Sequence, residues 1–142
     1  MDGLKKYVGT KTIKAKPMTR GAYKDFRGLE FPKYENPDDD GYLVVLLNIE
    51  PNADKSEDYI YWWVNKKQFD NDFRPAETIQ ERLVIEYDEL NQKFDALVAF
   101  LKTEQFESLS VDMKAEMQCQ RDAMSDYLDC LSNRLELLSI GL

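Results

Sequence analysis

From Glu77 to the C-terminus the apolar residues recur every three or four positions, which commits the last 66 residues of the chain to helix. Ile79, Leu83, Tyr87, Leu90, Phe94, Leu97 and Leu101 form one seam within Glu77 to Glu104. At about 1.5 Å per residue that helix would be about 42 Å long. A second seam runs through Met113, Met117, Gln120, Met124, Tyr127, Leu131, Leu135 and Leu138, behind Ser110 as N-cap. The joining stretch, Gln105 to Leu109, is short, so the two helices should pack antiparallel. A compact chain of this length is roughly 37 Å across, shorter than the first helix so drawn. The hairpin should therefore protrude, or find a partner through the extra apolar width of Val98, Leu128, Leu137 and Ile140. Packing across the chain's own sheet is the competing arrangement.

The first half is patterned differently. Lys11, Ile13 and Ala15 alternate with Thr10, Thr12 and Lys14, which predicts a strand from Tyr7 to Lys16, stopped by Pro17. Thr19 can cap a short helix carrying Tyr23 and Phe26 on one face, and Gly28 stands where a left-handed C-cap is needed. The nearly continuous apolar run Tyr42 to Asn48 predicts a strand covered on both faces. Tyr59 to Val64 predicts a third, highly aromatic strand, reached through a hairpin loop or insertion at residues 49–58. Asn65 can cap a short helix through Phe69 and Phe73, ended by Pro75. The expected fold class is α+β: a small antiparallel β-sheet with short helices, followed by a long antiparallel helical hairpin. Residues 1–75 form the β-rich, ligand-binding part, and 76–142 a helical hairpin that serves oligomerisation.

Several chemistries are closed off. The 142 residues contain no His, which removes the commonest general base and transition-metal ligand. Cys119 and Cys130 lie eleven positions apart on one helix, about 16 Å along its axis, too far to bridge each other. They read as reduced, buried or half-buried thiols. Asn36, Asp38, Asp40 and Gly41 match the start of a calcium-binding loop, but the position that must supply a bidentate carboxylate is Leu47, so the segment reads as a turn and no metal is expected. No nucleotide-cofactor or hydrolase motif occurs, so no cofactor is expected and nothing in the chain argues positively for an enzyme. No apolar run is long enough to span a bilayer and no secretory signal opens the chain; the expectation is a cytoplasmic protein with no membrane partner.

The net charge is −8, but residues 1–37 carry nine Lys and Arg against four acids, +5, leaving −13 for the remainder. An acidic body repels duplex nucleic acid, while a local basic lobe can still hold a small anion. Met18, Thr19, Arg20, Tyr23 and Arg27 gather near one strand end: guanidinium groups, a hydroxyl and helix N-terminal amides suit a pyrophosphate. Trp62 and Trp63 must point to opposite faces of their strand, leaving one free to cover a ligand or an interface, with plain core packing as the alternative. Asn91 flanks the first helical seam, where an amide commonly fixes register. Arg121 flanks the second, as a rim salt bridge or as a group reaching into a site.

The stretches KAKPMTRGAY (Lys14 to Tyr23), FRG (Phe26 to Gly28), NPDDDGYLV (Asn36 to Val44) and the aromatic strand running into KKQF (Lys66 to Phe69) resemble a phage and prophage family that includes the Thoeris anti-defence protein one group. Its members read K-x-K-P-M-T-R-G-x-Y, then E-N-P-x-D-x-G-Y-L-V, then Y-I-S-W-x-P-K-x-x-F. The likeness covers residues 7 to about 75 closely; the helical hairpin, with FLKTEQFESL and AMSDYL, is more loosely similar to the tail such proteins carry. Asn65 stands where relatives tend to have Pro, and Trp62 replaces a small residue.

The resemblance implies a non-catalytic sponge that binds cyclic ADP-ribose isomers made by TIR-domain enzymes, in the cytoplasm of the infected bacterium. It implies an antiparallel sheet decorated by helices, and a homodimer or larger homo-oligomer with pockets at protomer boundaries. The resemblance carries over Arg20, Tyr23, Arg27 and Trp63; with the residues read above from the chain itself, the expected ligand-binding set is Met18, Thr19, Arg20, Tyr23, Arg27, Trp63, Asn91 and Arg121. Hydrolysis of the same nucleotide, or a structural or host-protein interaction role, are the other functions open to such a chain.

Overall fold

A computed structural model of the chain describes residues 3–9, 11–47 and 59–140. They fall into two compact units, Met1–Phe73 and Arg74–Leu142. The fold class is α+β, as the sequence predicts.

In the first unit three strands, β1 (Lys14–Pro17), β2 (Gly41–Leu47) and β3 (Tyr59–Asn65), form an antiparallel sheet in the order β1-β2-β3. Successive residues of β2 face opposite sides, yet Leu43 and Val44 are both buried, at 4% and 0% exposure, so the central strand is covered on both faces. Leu43 sits opposite Trp63 and Val45 opposite Tyr61, which puts both aromatics on one face; Tyr42, Val44 and Trp62 share the other. Helix α1 (Arg20–Arg27) covers the first face, with the Phe26 ring edge-on to Tyr61 at 5.5 Å. Helix α2 (Lys66–Asp72) covers the second, with Phe69 stacked on Tyr42 at 3.8 Å.

The helix signals hold. Thr19 accepts from the Ala22 amide at 3.2 Å, Gly28 closes α1 at φ 64°, and Asn65 accepts from the Gln68 amide at 2.9 Å. Helix α2 stops at Asp72 with Phe73 as its C-cap, before Pro75 is reached. The strand predicted from Tyr7 is reduced to Lys14–Pro17, all four residues exposed, and Tyr7 and Val8 are themselves 85% and 83% exposed. Pro17 does not stop that ladder but ends it inside, opposite Tyr42, which an edge strand tolerates. The connection expected to be a hairpin loop, residues 49–58, lies outside the described residues.

The second unit holds α3 (Ile79–Phe100), α4 (Glu104–Glu107) and α5 (Val111–Ile140). Thr78 opens α3 with a reciprocal cap: it accepts from the Glu81 amide at 3.1 Å while its own amide donates to the Glu81 carboxylate at 2.9 Å. The helix expected to run to Glu104 breaks at Leu101. Thr103 caps the short α4 there, and Phe106 turns inward against Phe100, only 4% exposed. With 22 residues, α3 is about 33 Å long. Ser110 caps α5 as expected, accepting from the Met113 amide at 3.2 Å.

Tyr127 on α5 donates to the Glu86 carboxylate on α3, which together with the reversal at 101–110 makes the pair antiparallel. Leu83, Phe106, Leu128 and Leu131 form the buried core of this unit, while Ile79, Met113 and Leu137 remain exposed. Cys119 and Cys130 are free and exposed, not buried as expected: they fall outside the stripe that α5 turns toward α3. No described helix is long and apolar enough to cross a membrane.

Candidate functional site

The two segments richest in shared motifs are locked to each other by the backbone. The Met18 amide donates to the Gly41 carbonyl at 2.9 Å, Arg20 to Asp39 at 3.0 Å and Gly21 to Pro37 at 2.9 Å. Gly21 is required at this approach, since a methyl group there would sit 2.9 Å from the Pro37 Cβ. A methyl on Gly41 would overlap the Trp63 indole ring and the Val64 carbonyl. Trp63 lies across that glycine and donates its indole N–H to the Met18 carbonyl at 2.8 Å.

This packing uses up the helix N-terminus that the sequence offered to a pyrophosphate. The amides of Arg20 and Gly21 go to loop carbonyls, Ala22 to the Thr19 hydroxyl and Tyr23 to the Thr19 carbonyl. The first turn of α1 has no amide left for an anion.

Arg20 is similarly engaged. Its guanidinium lies 4.7 Å from the Trp63 ring centroid, with Nε 3.5 Å from Asp39 and a terminal nitrogen 3.7 Å from Glu35. Two carboxylates and an indole face surround one cation, and the Arg20 Nε and Glu35 Oε2 atoms are buried without a hydrogen bond. Arg27 differs. It lies over Tyr61 at 5.4 Å and makes no ion pair among the described residues. Tyr23 donates its hydroxyl to the Tyr61 carbonyl at 3.4 Å.

Met18, Thr19, Arg20, Tyr23, Arg27 and Trp63 therefore gather where the β1–α1 segment meets β3. Asn91 and Arg121, both half-buried, lie on α3 and α5 of the second unit, and Arg121 pairs with its neighbour Asp122 at 2.9 Å. Among the described residues no group of three or more His, Cys, Asp or Glu side chains could hold a metal ion. Asn36 instead accepts from the Asp38 amide at 3.0 Å, the turn expected of this segment.

A cleft of about 390 Å³ opens beside these residues, lined by Pro17, Met18, Thr19, Asp40, Tyr42 and Lys66. Met18 and Thr19 belong to the sequence-predicted ligand residues; Asp40 enters the sequence reading only as a position of the calcium-loop match, and Tyr42 and Lys66 not as ligand residues, although all three stand in the NPDDDGYLV and KKQF stretches. Lys66 donates from its ammonium to Asp70 at 2.6 Å, and from its amide to the Asp40 carbonyl at 2.9 Å. The hydrogen bond to Asp70, reinforced by that carboxylate's charge, holds the Lys66 pKa above the ordinary lysine value.

Residues 77–137 match the Sequestin family model. The Sequestin match spans α3, α4 and most of α5, and it contains Asn91 and Arg121. It is consistent with the Thoeris anti-defence resemblance, whose closest motifs precede it in residues 7 to about 75. The family's name refers to sequestration. Comparisons with curated proteins and with solved structures return no match.

Proposed function

We propose that this chain sequesters a cyclic ADP-ribose isomer produced by a bacterial TIR-domain enzyme, keeping the signal from its effector without cleaving it. The observation that carries the reading is the Sequestin match across the helical hairpin. The motif resemblance in the first half supplies the ligand class. Capture of a dianionic cyclic nucleotide needs cations and flat side chains, not a general base, and a chain without His suits that division.

Within this reading Arg27 is the guanidinium of the first unit best placed to meet a phosphate, since no carboxylate neutralises it among the described residues. Asn91 and Arg121 would serve from the Sequestin-matched hairpin, with Met18, Thr19, Tyr23 and Trp63 shaping the first-unit site and Arg20 holding that site in place. The working form is a homodimer or larger homo-oligomer in the host cytoplasm.

The test is native mass spectrometry with and without cyclic ADP-ribose isomers, followed by heat denaturation and analysis of the released nucleotide. Retention of the ligand and its recovery unchanged are expected. A linear ADP-ribose product would make the protein a hydrolase. No retention of any isomer at micromolar protein would leave the structural or host-protein interaction role.

A further inference from the structure

Asp40 and Lys66, absent from the ligand set above, face a cleft that also takes Met18 and Thr19 into its lining. The cleft, about 390 Å³, lies in the lower part of the range of about 300 to 1,000 Å³ for small-molecule sites. It is preformed. Backbone hydrogen bonds from Met18 to Gly41 and from Lys66 to Asp40 fix two of its walls, and Tyr42 is held by its stack on Phe69. A ligand entering it would order little of the protein.

The polar groups around it define a ligand. Asp40 makes no ion pair or side-chain hydrogen bond among the described residues, so its carboxylate offers two acceptor oxygens. The Thr19 hydroxyl accepts from the Ala22 amide and keeps its own proton to donate. Lys66 contributes one ammonium, but Asp70 stands against it at 2.6 Å. The one cation in the lining is thus already paired with a carboxylate outside it, and Asp40 adds an acid, which disfavours a phosphate there. A vicinal diol has the opposite requirement: two hydroxyl donors for one carboxylate, the pairing by which acidic side chains commonly hold a ribose. Met18 and the Tyr42 ring add apolar surface for a base.

We infer that this cleft binds the nucleoside part of a nucleotide, with Asp40 receiving the ribose hydroxyls and Thr19 and Lys66 donating to the sugar or base, while the phosphates stay outside. The inference rests on the sequestering reading and deepens it, assigning the part of the ligand that the Met18 and Thr19 side of the first-unit site receives.

The experiment titrates cyclic ADP-ribose isomers calorimetrically into the wild-type chain and Asp40→Asn. In parallel, acetylation of Lys66 and Lys67 in the wild type is followed by mass spectrometry with and without ligand. Lys67, exposed on the same helix and outside the cleft lining, is the internal reference. Expected are about a tenfold or greater loss of affinity in Asp40→Asn and a several-fold slowing of Lys66 acetylation relative to Lys67. Unchanged affinity with Lys66 labelled as fast as before overturns the cleft while the sequestering reading stands. Should Asp40→Asn fail to fold, protection of Lys66 in the wild type decides alone. No binding by the wild type overturns the sequestering reading and this inference with it.

Discussion

The indole N–H of Trp63 donates to the Met18 carbonyl at 2.8 Å, joining residues 45 positions apart and tying β3 to the segment between β1 and α1. The same ring carries the Arg20 guanidinium on its face. Trp63→Phe keeps a flat ring but leaves the carbonyl without that donor and weakens the cation–π contact. A loss of about 1–3 kcal/mol is expected, read from urea unfolding. A double-mutant cycle with Arg20→Met should return a coupling of about 0.5 kcal/mol or more; strict additivity would mean the stacking contributes nothing.

Gly41 is the position least able to accept a side chain, because the Trp63 ring and the Val64 carbonyl already fill the space of a Cβ. Gly41→Ala should cost about 1–3 kcal/mol through overpacking, seen as a lowered melting temperature. Its cause is distinct from that of Gly28→Ala, where the space is open and the cost of about 1–2 kcal/mol comes from forcing a left-handed backbone on an L-residue.

Arg20 and Arg27 look equivalent in sequence and should behave differently. Arg20→Ala strips the cation from between Glu35 and Asp39 and is expected to destabilise the first unit by about 1–2 kcal/mol. Arg27→Ala removes a guanidinium with no described carboxylate partner, so melting should change little while nucleotide retention falls. Equal stability losses in both variants would assign Arg27 a structural role.

Lys66 and Asp70 give a pH signature. Because the hydrogen bond and charge of Asp70 raise the Lys66 pKa, the stabilisation of α2 from this pair is complete below the unfolded lysine pKa and disappears as pH rises through the folded value. Side-chain NMR titration of Lys66 should show a midpoint above the ordinary lysine value, and Asp70→Asn should lower it to the ordinary range. A Lys66 midpoint unaffected by Asp70→Asn would remove the pair from the account.

The sequence showed the parts of this fold whose causes are local. Caps at Thr19, Asn65 and Ser110 and the left-handed Gly28 each depend on a few neighbouring residues, and each stands where expected. The apolar run in β2 implied cover on both faces because both parities are hydrophobic. Non-local causes stayed hidden. The alternation at Thr10 to Ala15 suggested a strand reaching back to Tyr7, but strand length depends on what packs and pairs opposite. The break at Leu101 follows from Thr103 capping a new turn and Phe106 folding inward, within a seam that continues unbroken on paper.

The candidate site was legible as residue types in two motifs, and not as partnerships. That Arg20 is met by Glu35 and Asp39, or that Asp40 and Lys66 share a cleft with Met18, depends on how loop 36–40 lies against α1 and α2. No spacing in the sequence encodes that placement.

The loop carbonyls that receive the opening amides of α1 make helix and loop hostages of one another: neither can open without stranding the other's hydrogen bonds. Exchange of the Arg20 and Gly21 amides with deuterated solvent should therefore proceed at a common opening free energy, and the segment from Met18 to Gly41 should melt as one cooperative piece.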